Sequence, residues 1–267
     1  DFLLRILPEI EFLNRSVSLL RALRDRGYPL CNPILRPTAD KAFAAQGLYN
    51  PEVALRIDDR VVDNDFSFDD NARIYILSGP NRGGKSVITC AVGLAQAMAQ
   101  LGLPVPATAA EISPVDAIFT HFPEGADDTM GKGRLGEECA RLRGIFDELT
   151  EDSLVLLDES LSSTGAYEAS FIAAELLAAF AVKRCRGIFS THLHELAASA
   201  DEINARTAPF GGVRIDTLVA GMEEGRRSFR ILRCKPDGKS YARDIANKYG
   251  LSFSELIRAE SAERNPS

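Results

Sequence analysis

Apolar positions along this chain follow two periods, which predict helices and strands in alternation. Helical spacing runs from residue 1 to about Arg26 and stops at Gly27 and Pro29, so the first segment is predicted to form one long amphipathic helix. Further helical patterns cover residues 87–101, 137–149 and 166–182, and short apolar runs predict buried strands at 74–77, 117–120, 153–158 and 187–190. Such alternation is typical of an α/β protein with a mostly parallel sheet flanked by helices, which binds ligands at the carboxyl ends of its strands.

Weaker patterns flank this alternating region on both sides. Short strands are expected at 53–57 and 65–68 before it and at 212–218 and 228–233 after it, and helices are expected at 241–248 and 254–263. We therefore divide the chain into a helix with its connector (1–46), an α/β domain (47–234) and a C-terminal helical element (235–267).

The predicted strand at 74–77 leads directly into Gly79-x-x-x-x-Gly84-Lys85-Ser86, which is the pattern of a phosphate-binding loop. The glycines let backbone N–H groups approach phosphate oxygens, Lys85 neutralises the terminal phosphates, and the Ser86 hydroxyl can bind Mg²⁺. The strand before and the helix after disfavour the alternative, a glycine-rich turn without a ligand. The residues expected to contact a nucleoside triphosphate are Gly79, Pro80, Asn81, Arg82, Gly83, Gly84, Lys85, Ser86 and Val87.

Two carboxylates, Asp158 and Glu159, end the apolar strand at 153–158. In a parallel sheet this strand end opens beside the phosphates. We therefore expect Asp158 to bind Mg²⁺ together with Ser86, and Glu159 to be the catalytic residue that orients or deprotonates the attacking water. An ordinary strand-end turn is the alternative. His192 follows the next strand and is expected to be a catalytic donor to the γ-phosphate, whereas the other two histidines receive no such role.

Composition and charge narrow the class of protein further. A hydrophobic fraction of 45% and a charged fraction of 26% are ordinary for a soluble globular protein, and no apolar run approaches the roughly 20 residues that span a membrane. The net charge of −7 argues against a stand-alone DNA clamp, since phosphate neutralisation requires clustered Lys and Arg. Five scattered cysteines without a CxxC pair disfavour a disulfide framework or a zinc site and indicate a reducing, cytoplasmic location. The chain begins without Met, which suggests an excised piece of a longer protein.

Several segments together resemble the ATPase domain of the MutS family of DNA mismatch-recognition proteins. The segments and the family motifs that they resemble are 78–86 (TGPNMGGKS), 112–120 (IGPVDRIFTR), 153–159 (SLVLMDE), 190–196 (ATHYFEL) and 238–241 (SKSYG). They occur in the family order. The resemblance implies a P-loop NTPase of the ABC-ATPase type that uses ATP and Mg²⁺, forms a homodimer, and hydrolyses ATP to drive changes in the dimer and in a DNA clamp.

The resemblance also implies roles for residues outside the phosphate loop. Each nucleotide site of the family is completed by a signature segment of the partner subunit, which corresponds here to Gly133, Arg134 and Glu138, with Gly133 in place of the family's serine. Either the Gly133 N–H and the Arg134 guanidinium replace that hydroxyl, or activation by the partner is weakened. The positions that correspond to the family's adenine-flanking residues are Val61 and Arg214. The planar guanidinium of Arg214 can stack on a purine. The first helix resembles the stub of a lever arm, the C-terminal helices resemble part of a dimerisation element, and DNA contacts are expected mostly outside this chain.

Other functions stay open at this point. The altered signature and the loop at 160–164, where the family has GRGTS, favour a module that binds ATP and dimerises without hydrolysing it, although the retained Glu159 and His192 argue against that alternative. The departures also leave open a MutS paralogue that acts on other DNA structures. An ATPase of the SMC or RecF groups is disfavoured by the segments at 112–116 and 191–196.

Overall fold

The computed structural model describes residues 2–122, 133–223 and 226–235, with side chains from residue 6 onwards. The helices are α1 (Phe2–Asp25), α2 (Pro51–Arg56), α3 (Lys85–Gln100), α4 (Arg134–Glu148), α5 (Ala166–Lys183), α6 (His194–Ala198) and α7 (Ala200–Thr207). The strands are β1 (Ile34–Leu35), β2 (Phe43–Leu48), β3 (Asn64–Phe68), β4 (Ile74–Ser78), β5 (Ala109–Ile112), β6 (Ile118–His121), β7 (Leu154–Asp158), β8 (Arg186–Ser190), β9 (Ile215–Glu223) and β10 (Arg226–Arg233). The predicted helices and strands of the alternating region are confirmed, with ends that differ by a few residues.

The larger sheet has six strands in the order β10-β9-β4-β8-β7-β6. The five strands from β9 to β6 are parallel, and β10 pairs antiparallel with β9 at the edge. This arrangement confirms the predicted α/β class and the mostly parallel sheet. Because the strands are parallel, the carboxyl ends of β4, β8 and β7 meet at one edge, where Leu77 and Asp158 both pair with Ser190.

The two faces of this sheet are buried by different helices. Alternate residues such as Tyr75, Leu77 and Leu156 pack with α3, while Ile76 and Leu157 pack with α4, α5 and α6. Strands β4, β7 and β8 are buried along their whole length, which explains why β4 and β7 are apolar up to their last residue. Strand β8 also buries the polar side chains of Arg186 and Ser190 at its two ends.

A second sheet of four strands, β1-β5-β2-β3, packs on the free side of α3. Phe43, Phe66 and Phe68 from this sheet contact one another and belong to the same core as α3. The prediction of a strand at 65–68 is confirmed by β3, whereas β2 and β5 were not predicted, because their alanine-rich sequences show no strong strand pattern.

The predicted strand at 53–57 is wrong, because these residues lie in and just after helix α2. The side-chain oxygen of Asn50 accepts hydrogen bonds from the N–H groups of Glu52 (2.9 Å) and Val53 (3.1 Å), and Pro51 occupies the first turn. An asparagine cap followed by proline is a strong helix start, and here it outweighs the local apolar pattern.

The predicted long helix is confirmed as α1, but most of its apolar residues are not buried. Leu7, Ile10 and Leu13 are exposed, and α1 joins the protein core chiefly through its last turns, where Leu23 is fully buried against Tyr28. No helix within the described ranges combines the length and the apolar character needed to cross a membrane. The helices predicted at 241–248 and 254–263 lie outside the described residues.

Candidate functional site

The loop between β4 and α3 is a tight turn closed by Lys85. Its backbone has positive φ angles at Gly79 (133°), Arg82 (60°) and Gly84 (94°). The Nζ of Lys85 donates hydrogen bonds to the carbonyl oxygens of Gly79 (3.1 Å) and Pro80 (3.2 Å), and its side chain is only 4% exposed. Helix α3 begins at Lys85, and the first N–H groups of a helix favour a bound anion. The loop and the helix start therefore form a concave surface suited to phosphate groups.

The β9–β10 hairpin packs directly on this loop, a contact that the sequence pattern did not indicate. A Cβ atom built on Gly79 would lie 2.8 Å from the Cβ of Ala220 in β9. A Cβ atom on Gly83 would lie 3.1 Å from the same atom and 2.9 Å from the carbonyl oxygen of Pro80. The packing of the hairpin therefore requires these glycines.

Glu159 connects the ends of three neighbouring strands. Its Oε1 lies 3.2 Å from Nζ of Lys85, and its Oε2 lies 2.5 Å from Nδ1 of His192. The backbone supports this arrangement, because the N–H of Glu159 donates to the carbonyl oxygen of Ser190 (2.8 Å) and the N–H of Thr191 donates to that of Leu77 (2.9 Å). The structure thus brings together the lysine, the carboxylate and the histidine that the sequence analysis singled out.

Asp158 lies beneath this cluster and is almost fully buried. Its Oδ1 has no hydrogen-bond partner, and neither has Oγ of Ser190, its neighbour in the sheet. A buried carboxylate oxygen without a partner is costly unless a cation or a donor satisfies it. Burial and the charge of Asp158 raise the pKa of the Cys90 thiol, so this nearby side chain stays neutral.

Asp158 and Ser86 fit the expected Mg²⁺ site by their chemistry. The described part of the chain contains no group of three or more His, Cys, Asp or Glu side chains that would bind a metal by themselves. Mg²⁺ does not need such a group, because it is usually held by one or two protein oxygens together with phosphate oxygens and water. The buried, unpartnered Oδ1 of Asp158 and the exposed Ser86 at the start of α3 are suitable ligands of this kind.

A cavity of about 800 Å³ opens beside the phosphate loop. This volume lies within the range of about 300–1,000 Å³ that is usual for small-molecule sites. Its inner wall consists of residues 81–88 with Glu159 and His192. Its outer wall consists of Val53, Ile57, Asp59, Arg60, Val61 and Val62. Leu48, Tyr49, Asn50, Asn64 and Phe229 complete the lining together with Ala91.

Of the two residues expected to flank the base, the structure brings only Val61 to this cavity. Arg214 lies at the amino end of β9, where its carbonyl oxygen accepts a hydrogen bond from the N–H of Arg73, the residue before β4. The phosphate loop follows the opposite end of β4. Arg214 is therefore separated from the cavity by the length of the sheet.

Phe229 lines the cavity instead, and the sequence analysis missed it. It occupies an irregular position in β10 with a φ of 57°, and its side chain is 45% exposed. The side chain of Asn64 fixes this position, since it donates to the carbonyl oxygen of Phe229 (3.1 Å) and accepts from the N–H of Ile231 (2.7 Å). An aromatic residue in an arginine-rich strand gives little signal by itself, because its position depends on how the hairpin folds over the loop.

The three residues expected to form the partner-site signature, Gly133, Arg134 and Glu138, lie at the start of α4. None of them lines the cavity. Gly133 precedes the helix without a side-chain cap. Nε of Arg134 lies 3.8 Å from Oε1 of Glu138, and Oε2 of Glu138 accepts a hydrogen bond from Oγ of Ser163 (3.1 Å). Glu138 therefore connects α4 to the loop that follows Glu159.

Comparison with known proteins identifies the family. A family model described as MutS domain V matches residues 75–254. The chain is similar to proteins named DNA mismatch repair protein MutS, with 41% identity to that of Prochlorococcus marinus (strain MIT 9301) over 55% of this chain and 16% of the relative. Identity is 35% to that of Ruegeria pomeroyi, over 91% and 28%, and 34% to that of Syntrophomonas wolfei, over 97% and 30%. The chain thus spans less than a third of the length of these relatives. Since the family model covers most of the chain and contains the phosphate loop, both carboxylates and the histidine, the chain belongs to the MutS family.

Proposed function

We propose that this chain binds ATP with Mg²⁺ and hydrolyses it to ADP and phosphate. The observation that carries the proposal is the contact of Glu159 with both Lys85 and His192 at the mouth of the phosphate loop. A carboxylate within hydrogen-bonding distance of both a cation and an imidazole matches the groups that hydrolysis of a γ-phosphate requires.

Each residue has a distinct part in the proposed reaction. Glu159 orients the attacking water and accepts its proton, while the water oxygen bonds to the γ-phosphorus and the bond to the β-phosphate oxygen breaks. Lys85 and the loop N–H groups neutralise charge on the phosphates, and His192 donates a hydrogen bond to the γ-phosphate. Ser86 and Asp158 would hold Mg²⁺, which when bound stabilises charge on the β- and γ-phosphates.

The nucleoside part of the ligand would lie between Val61 and Phe229. The cavity beside the loop is lined by both side chains and has room for a nucleoside. Stacking on an aromatic ring contributes binding energy for any base, so Phe229 supports affinity more than selectivity. Arg214, which lies at the far end of β9, has no part in this proposal.

The family relation supports an ABC-type P-loop ATPase that works as a homodimer. Gly133, Arg134 and Glu138 lie outside the cavity of their own subunit, as expected of residues that complete the partner's site. The relatives are named as DNA mismatch repair proteins, so we propose that the full-length protein couples ATP turnover to DNA recognition through regions outside this chain. A paralogue role on other DNA structures would use the same chemistry.

A second candidate is a nucleotide-gated dimerisation module without hydrolysis. It is favoured by Gly133, which has no hydroxyl to offer to the γ-phosphate of the partner's site. The contact between Glu159 and His192 favours hydrolysis, because a module that only binds ATP has no evident need for a base held in this position.

Steady-state ATP hydrolysis measured over a range of protein concentrations tests the proposal. We expect a rate per protomer that rises with concentration, a loss of at least about 100-fold in Glu159→Gln, and an unchanged rate in Glu195→Gln, a matched variant at an exposed position of α6. ATP binding with no Glu159-dependent turnover, at concentrations where dimers are present, would contradict hydrolysis and support the binding module.

A further inference from the structure

The outer wall of the cavity contains little regular secondary structure. Helix α2 has only six residues, and residues 57–63 form no helix or strand. Ile57, Asp59 and Arg60 are exposed to solvent. A segment of this kind needs contacts from elsewhere in the protein if it is to hold a fixed position beside a ligand.

Tyr28 supplies one such contact from the turn that ends α1. Its hydroxyl oxygen accepts a hydrogen bond from the N–H of Val61 (3.0 Å), which belongs to the outer wall. The ring is 8% exposed and stacks on Tyr49, with ring centroids 4.8 Å apart, and the guanidinium of Arg60 lies 5.8 Å from its centre. Packing of the ring therefore fixes the position of the hydroxyl that contacts the outer wall.

Arg26 supplies a second contact from the same turn. Its Nη1 donates to the carbonyl oxygens of Ala54 and Ile57, both at 3.0 Å. The last carbonyl groups of a helix have no partner within the helix, and an arginine is well suited to bind them. Arg26 thus fixes the carboxyl end of α2, which forms part of the outer wall.

We propose that Tyr28 and Arg26 are positioning residues that hold the outer wall against the nucleoside part of the bound nucleotide. The proposal rests on the proposed function and adds that binding of the nucleoside depends on these two residues. Neither residue lines the cavity or contacts the phosphate loop, so their loss should weaken recognition of the nucleoside and leave recognition of the phosphates intact.

Calorimetric titration with two ligands distinguishes recognition of the nucleoside from recognition of the phosphates. Mg²⁺-ATP contacts both the loop and the outer wall, whereas Mg²⁺ with inorganic triphosphate contacts the loop alone. Tyr28→Phe removes one hydrogen bond to the wall and Arg26→Met removes two. We expect each variant to weaken ATP binding by about two- to tenfold and to leave triphosphate binding within about twofold of the wild type.

Two control variants remove similar groups from residues that do not line the cavity. Tyr75→Phe removes a hydroxyl that bonds the carbonyl oxygen of Ser67, and Arg36→Met removes an ion pair with Glu111. Both should bind ATP and triphosphate as the wild type does.

Each outcome bears on one of the two proposals. Unchanged ATP affinity in both Tyr28→Phe and Arg26→Met, or an equal loss for ATP and triphosphate, would overturn the positioning role while the ATP site stands. If Tyr28→Phe does not fold, Arg26→Met decides the question alone. A wild-type protein that binds neither ligand would overturn the proposed function and the positioning role with it.

Discussion

Replacement of Gly79 by alanine should destabilise the protein for two reasons, backbone strain and crowding. Alanine variants of two other glycines measure each of these costs separately. Gly79 has a φ of 133°, which an L residue rarely adopts, and its added Cβ would also meet three atoms of Ala220 at 2.8–3.2 Å. At Gly83 the added Cβ is equally crowded, but the φ is not positive. Gly102 has a φ of 71° with nothing within 4 Å. The three variants therefore report crowding with strain, crowding alone and strain alone.

The magnitudes follow from these geometries. Strain at a positive φ costs about 1–2 kcal/mol for alanine, so Gly102→Ala should lose that amount of unfolding free energy. Crowding in a packed region costs about 1–3 kcal/mol, which is the expectation for Gly83→Ala. Gly79→Ala should lose roughly 2–5 kcal/mol, because β9 is held between β4 and β10 and its backbone cannot move away. That loss is a large part of a typical stability of about 5–15 kcal/mol.

Urea unfolding followed by circular dichroism gives the three values. The urea concentration at the unfolding midpoint should be highest for Gly102→Ala, lower for Gly83→Ala and lowest for Gly79→Ala. The slope of the unfolding free energy against urea concentration should be the same in all three. ATP affinity should fall in Gly83→Ala and Gly79→Ala and stay unchanged in Gly102→Ala, which lies at the far end of α3. If Gly79→Ala is no less stable than Gly102→Ala, the hairpin does not press on the loop and the packing argument is refuted.

Two further predictions concern the hairpin and its ion pairs. Phe229→Ala keeps a side chain at the same positive φ, so it should lower ATP affinity by about 1 kcal/mol through lost stacking without affecting inorganic triphosphate, as measured by calorimetry; equal losses for both ligands would contradict a nucleoside contact. The hydrogen bond from Arg233, together with its charge, lowers the pKa of Asp69 below its usual value. The stability from this pair is therefore present above the unfolded pKa of about 4 and is lost as pH falls through the folded pKa, so the stability difference between wild type and Asp69→Asn should shrink from pH 6 to pH 2 in urea titrations. A difference that stays constant with pH would exclude Asp69 as the titrating group.

The strands and the chemistry at their ends were predictable because both are local properties of the chain. Strands β4, β7 and β8 are buried on both faces, so the residues at their centres are apolar. The phosphate loop, Asp158–Glu159 and His192 each lie at the carboxyl end of such a strand. Parallel pairing then makes it necessary that these strand ends meet at one edge of the sheet.

Helix α2 shows where a local pattern can mislead. Residues 53–57 alternate as a strand would, but the cap from Asn50 and the proline after it begin a helix one turn earlier. The capping signal is also local, so a closer weighting of Asn50-Pro51 against the apolar pattern would have found this helix.

The walls of the cavity beside the loop could not be predicted from the sequence in the same way. Val61, Phe229 and Arg214 are separated by long stretches of sequence, and which of them meet depends on strand order and on the fold of the β9–β10 hairpin over the loop. The contact of Tyr28 with Val61 likewise depends on how the end of α1 packs against Tyr49. The sequence alone determined the proposed phosphate-binding loop, because a strand, a loop and a helix that are adjacent in the chain create it. Only the tertiary structure decided which residues line the cavity beside that loop, because those contacts form between residues that burial and packing bring together from distant parts of the chain.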